Sequence, residues 1–113
     1  MSAVRSVTDE RFAAEVEQSA RPVLVEYLAQ WCPPCRLVAP VLEAIAAEHQ
    51  DSMDVVKLNI DENPLTAQKY AVLHVPTMSL FSGGQVVRQV VGARSRAALE
   101  REFAEYLQPA AIR

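Results

Sequence analysis

Between residues 23 and 60 the sequence changes its hydrophobic period twice, and two cysteines mark the first change. Val23-Leu24-Val25-Glu26-Tyr27-Leu28 is apolar on both alternating faces apart from one carboxylate, the pattern of a strand covered on both sides. Cys32-Pro33-Pro34-Cys35 follows. Val38, Val41, Leu42 and Ile45 then recur at i, i+3, i+4 and i+7 within Arg36 to His49, the stripe of an amphipathic helix. Met53 to Ile60 is a second apolar, β-branched run. Strand, helix and strand in that order make a βαβ unit with parallel strands and a right-handed crossover. A chain built on this unit is α/β, with helices on the faces of a sheet.

The flanking segments complete one layer pattern. Thr8 is expected to cap a first helix over 9–18, with Val7 and Phe12 forming a hydrophobic staple. Pro33 and Pro34 suit the first two positions of the helix after Cys32, because amides there have no intrahelical partner. Pro40 lies deeper and removes the bond to the Arg36 carbonyl, so a kink is expected. Asn63-Pro64 starts a short helix to Tyr70. Thr77 to Phe81, the Ser82-Gly83-Gly84-Gln85 turn and Val86 to Val91 read as an antiparallel hairpin. Ser95 caps a last helix striped by Leu99, Phe103 and Leu107 and stopped by Pro109. An extra edge strand fits near Val4. The sheet is therefore mixed, with helices on both faces.

The 113 residues suit a single domain, 1–113, without a linker, repeat or low-complexity tract. Eleven Lys plus Arg against 14 Asp plus Glu give a net charge of −3, which leaves no basic surface for nucleic acid. The longest apolar stretches fall well short of the roughly 18 residues a spanning helix requires, and Met1 to Ser6 lacks the apolar core of a secretory signal. A cytoplasmic location is expected.

The cysteines carry the chemistry. A cytosolic disulfide is usually catalytic rather than structural, and Cys32 and Cys35 close a loop too short to restrain the unfolded chain strongly. A Cys-x-x-Cys at a strand-to-helix junction inside a βαβ unit reads as a redox motif. Zinc is the competing reading. It requires four ligands, and His49 and His74 do not supply the second close pair of a finger.

Ala29-Gln30-Trp31-Cys32-Pro33-Pro34-Cys35-Arg36, Ala39-Pro40, Lys57-Leu58-Asn59-Ile60-Asp61, Val75-Pro76-Thr77, Phe81 with Gly84, and Val91-Gly92-Ala93 together resemble the thioredoxin family over nearly the whole chain. The resemblance implies a central mixed five-stranded sheet flanked by four helices, and reduction of protein disulfides. It implies no bound cofactor: the Cys32–Cys35 disulfide is the redox group, recharged by a flavoprotein thioredoxin reductase that draws on NADPH. Client proteins and that reductase are the implied partners, and a monomer is expected. It also implies a cis Pro76 which, with Val75, Gly92 and Ala93, forms an apolar groove for a substrate strand. The sequence departs from the family at four places: Pro33 stands for the usual glycine, Glu26 for a buried Asp, Leu28 for a common Trp, and His74 for a small or non-titrating residue.

A thiolate, not a thiol, attacks a disulfide. Cys32 at a helix N-cap is the expected nucleophile: the helix start and the Cys35 amide favour its thiolate, and Trp31 shields it laterally. Cys35, one turn in, is expected to be more buried and to resolve the mixed disulfide. Glu26, desolvated behind the helix, would accept the Cys35 proton through a water. Lys57 on the neighbouring strand would pair with Glu26 and moderate it, the alternative being a purely structural buried pair. Trp31, Pro33, Pro34, His74, Val75, Pro76, Gly92 and Ala93 are the candidate substrate contacts. His74 is either a solvated loop histidine or a titrating neighbour of Cys32, while His49 is a partner of its helix dipole and Arg36 and Lys69 are solvated charges. Two functional alternatives to a reductase stay open: a binding module with incidental cysteines, and a more oxidising oxidase or isomerase.

Overall fold

The computed structural model describes residues 2–109; Met1 of the N-terminal reading and residues 110–113 of the single-domain span lie outside the described residues. The strands are β1 (Arg5–Ser6), β2 (Val23–Leu28), β3 (Asp54–Asn59), β4 (Thr77–Ser82) and β5 (Gln85–Val91). They form one sheet in the order β1-β3-β2-β4-β5, with β1 and β2 parallel to β3, and β4 antiparallel to both β2 and β5. The mixed five-stranded α/β sheet expected from the sequence is present, and β2 is its central strand.

Alternation along β2 sorts the core into two layers. Leu24 joins Val38, Leu42 and Ile45 of helix α1 (Pro33–Glu48), together with Leu99 and Phe103. Val23, Val25 and Tyr27 face the other way, onto Phe12, Val16 and Phe81. Side chains on a strand alternate with period two, so Glu26 falls on the Leu24 face, beneath α1. In β3, Val55 marks the same face, and Lys57 shares its parity. Glu26 and Lys57 are direct partners in the parallel register. Phe12, Tyr70 and Phe81 stack edge-on or tilted at 5.0 to 5.8 Å between centroids and close the second layer.

Several local expectations are corrected. The first helical segment is a short π-helix, Ala13–Glu17, without a side-chain cap; Thr8 supplies only its carbonyl to the Arg11 amide. Asp9 is drawn elsewhere: its carboxylate accepts the Leu65 and Thr66 amides at the start of α2 (Pro64–Lys69), while the Asp9 amide donates to Asn63 Oδ1. Asn63 thus occupies the N-cap position, but Asp9 does the capping. Pro40 lies inside helix α1, on its exposed face, where solvent can serve the carbonyl that proline leaves free. The C-cap of α1, His49, has Nε2 buried without a hydrogen bond, 3.8 Å from Glu100. Lys69 is exposed, as expected of a solvated charge, and from the surface it pairs with Glu17 at 2.8 Å. The last helix is split into α3 (Arg96–Glu102) and α4 (Ala104–Leu107) at Phe103, whose ring is fully buried and whose backbone leaves helical geometry.

At the end of α2 the Val72 amide donates to the Ala67 carbonyl and the Ala71 amide to that of Gln68, the paired bonds of a Schellman motif. The position that usually holds glycine there is Ala71, at φ 54°. A left-handed residue bearing a Cβ costs roughly 1–2 kcal/mol, partly offset by the extra freedom of glycine in the unfolded chain. Ala71→Gly is therefore expected to stabilise the protein by about 0.5 to 1 kcal/mol in urea unfolding. Unchanged or lower stability would show that the turn carries no such strain.

Candidate active site

Helix α1 follows β2 after a four-residue link, so its N-terminus is presented at the C-terminal end of the central strand. Cys32 is the N-cap in extended conformation, with both prolines in the first turn. Pro33 and Pro34 have no amide to give, so the Cys35 N–H is the donor that reaches Cys32 Sγ, at 3.2 Å. The two cysteines are joined as a disulfide with Cα atoms 5.3 Å apart. The expected order of burial is not seen. Cys32 is 2% exposed and Cys35 4%, both packed with Ala29 and bordered by Leu28, Ile60 and Val75.

What separates the two sulfurs is the neighbourhood each one borders. Cys32 Sγ lies 3.6 Å from the Val75 carbonyl oxygen, next to the cis Val75–Pro76 bond. The Pro76 carbonyl accepts the Gly92 amide at 2.8 Å, and Gly92 takes φ 90°, which brings Val75, Pro76, Gly92 and Ala93 to one rim. Trp31 stands over this side, 65% exposed, its indole N–H held by the Asp61 carboxylate at 2.9 Å. Pro33, Pro34 and His74 are exposed nearby; the His74 carbonyl accepts the Thr77 hydroxyl at 2.6 Å. Ile60, Leu73 and Asp61 also border this side, beyond the candidate contacts that the sequence offers. The Lys57–Asp61 run was the signal for Ile60 and Asp61, whereas nothing local marks Leu73.

Cys35 opens the other way. With Glu26 and Lys57 it lines a cavity of about 390 Å³ whose walls include Leu28, Ala39 and Arg36. Glu26 is 2% exposed, and its Oε2 has no hydrogen-bond partner. Burial pushes its carboxyl from the ordinary 4.5 up to about 7, against the smaller pull of the Lys57 charge. The close pair expected between Glu26 and Lys57 does not form: no ion pair joins them within 4 Å, although they are adjacent in register. The Arg36 guanidinium is tied to the Gln30 carbonyl at 2.9 Å, at the cavity wall.

A redox-active disulfide at a helix N-terminus, a cis-proline rim and a buried carboxylate behind the second sulfur point to thiol–disulfide exchange. The family model "Thioredoxin" matches residues 3–105. The chain belongs to the thioredoxin family. It is 52% identical over 87% of its length to a thioredoxin of Streptomyces clavuligerus, of which 91% is covered. It is 49% identical over 92% of its length to a thioredoxin of Mycobacterium tuberculosis, 90% covered. It also matches, at 50% identity over 88% of its length, 22% of a bifunctional thioredoxin reductase/thioredoxin of Mycobacterium leprae. As a thioredoxin-family member the chain is a protein-disulfide oxidoreductase, and the cysteine pair, rather than a bound cofactor, carries the electrons. No helix among the described residues is long and apolar enough to cross a membrane.

Proposed function

We propose that Cys32 is the attacking sulfur of a protein-disulfide reductase and Cys35 the resolving one. In the reduced protein the Cys32 thiolate bonds to one client sulfur and the other leaves as a thiolate. Cys35 then gives its proton to Glu26 through a water and bonds to Cys32 Sγ. The second client sulfur leaves, and the Cys32–Cys35 disulfide remains. One observation carries this assignment: Cys32 Sγ borders Val75 and receives the Cys35 amide, whereas Cys35 shares a cavity with Glu26. The test is which single-cysteine variant retains a client as a mixed disulfide.

The remaining roles follow from position. Lys57 moderates the Glu26 charge from the neighbouring strand. A client segment lies along Val75 and Pro76, with Trp31, Pro33, Pro34, Gly92 and Ala93 around it and His74 at its margin. Recharging falls to an NADPH-linked thioredoxin reductase, a partnership supported by the fusion named in the Mycobacterium leprae relative. Family membership supports reading the chain as a cytoplasmic monomer; sedimentation and cell fractionation check both.

Pro33 is the departure inside the motif. Its missing amide is the first of the helix and points less directly at Cys32 than that of Cys35, so restoring it alters thiolate stabilisation only modestly. A compatible proline acts mainly through the unfolded chain. Pro33→Gly is therefore expected to cost about 0.4 to 1 kcal/mol of stability and to shift the redox potential by less than roughly 30 mV. Equilibration against glutathione measures the shift, and a change beyond roughly 60 mV would mean that Pro33 treats dithiol and disulfide differently.

A further inference from the structure

Leu73 is 84% exposed, more than any other large apolar residue among those described. Single exposed apolar side chains are ordinary; the place of this one is not. Val72, just before it, packs against the second core layer, and Val75, two residues on, packs against the cysteines. With Trp31, Ile60, His74 and Val75 it lines a cavity of about 350 Å³ on the Cys32 side. Leu73 and His74 also wall a second hollow, of about 120 Å³, shared with Thr77, Gln89 and Val91. The pair is thus a rib between two concavities, one residue removed from the carbonyl that touches the reacting sulfur. The rib is held from both ends, by the Schellman bonds at Ala71 and Val72 and by the Thr77 hydroxyl on the His74 carbonyl. An apolar side chain fixed outward in this way is pre-organised for an incoming apolar group.

We propose that Leu73 is a specificity-determining residue, which favours client segments carrying a bulky apolar side chain beside the attacked cysteine by seating that side chain against Trp31 and Ile60. This rests on the reading of Cys32 as nucleophile and of Val75 as the backbone along which the client lies. A cavity of this size is within the range that takes a ligand group, and its Trp31, Ile60, Leu73 and Val75 walls are apolar. Differences of a few methylenes in such a pocket change kcat/KM by about 10-fold or more.

The experiment compares cyclic peptide disulfides that differ only in the residues flanking one cysteine: Leu, Ser or Asp. For the unaltered protein, kcat/KM is expected to be about tenfold higher for the Leu peptide than for Ser or Asp, with the difference mainly in KM. Leu73→Ser should shrink that ratio to about twofold, and Leu73→Met should keep it, since methionine restores apolar volume. A ratio near one in the unaltered protein, or one unchanged in Leu73→Ser, overturns the proposal. The Cys35→Ser variant separates this failure from a deeper one. If it traps the Leu and Ser peptides on Cys32 equally well and Leu73→Ser alters neither, selectivity alone is refuted. If it traps neither peptide on Cys32, the groove reading falls, and the proposal with it.

Discussion

Insulin reduction by Cys32→Ser is expected to fall to the uncatalysed background, while Cys35→Ser keeps a single attack and stops at a mixed disulfide on Cys32. The physical basis is the asymmetry of the two sulfurs. The Cys35 amide reaches Cys32 Sγ at 3.2 Å at the start of α1, where the partial positive charge of the helix end favours an anion. The prolines sharpen this geometry, because they leave that amide as the donor reaching the sulfur from the first turn. Cys35 has no comparable donor among the described contacts and must lose its proton when it acts. Mass spectrometry of each variant after a brief exposure to oxidised client, followed by peptide mapping, reads the result. Trapping on Cys35 in the Cys32→Ser protein, with turnover retained by Cys35→Ser, would reverse the roles.

The central unit was legible in the sequence because its signals are local and agree. The two-faced apolar run of β2, the prolines at the start of α1 and the i, i+3, i+4, i+7 stripe point to one βαβ unit, and parity along β2 then places Glu26 under α1. Segments whose geometry is decided by distant residues were not legible. Asp9 reads as the first turn of a helix, yet its carboxylate is taken by amides 56 and 57 residues away. The stripe Leu99, Phe103, Leu107 is continuous, but full burial of Phe103 accompanies a break in the backbone between α3 and α4. The site divides in the same way. The cysteines and Glu26 carry their chemistry in their residue types, whereas the equal burial of the two sulfurs, the Trp31–Asp61 bond and the exposure of Leu73 arise where β2, β3 and the segment before β4 meet. The Glu26–Lys57 reading lies between these cases: strand pairing correctly predicts adjacency, but side-chain reach decides contact.

Glu26→Gln is expected to slow resolution of the mixed disulfide by roughly 100-fold near pH 8, at the lower end of what a positioned base contributes. It should also abolish an inflection near pH 7 in that step. Only the ionised carboxylate can take the Cys35 proton, and burial raises its pKa to about 7, so the unaltered rate should climb through that pH and level off above it. Stability should run in the opposite direction. The folded pKa lies above the ordinary 4.5, so the native state binds this proton more tightly than the unfolded chain does. The resulting stabilisation is complete below about pH 4.5 and is lost as pH rises through about 7. The loss amounts to about 3 kcal/mol, softened by whatever water enters the cavity. Glutamine keeps the shape and carries no charge. Relative to the unaltered protein, Glu26→Gln should therefore gain stability between pH 5 and 9, and urea midpoints across that range measure the gain. Lys57 sets the position of the midpoint. Its charge pulls the Glu26 pKa down, so Lys57→Met should move the kinetic inflection upward without removing it. Resolution as fast in Glu26→Gln as in the unaltered protein at every pH would exclude Glu26 as the base. A stability difference that stays flat with pH would instead mean that the carboxylate is hydrated in the folded state.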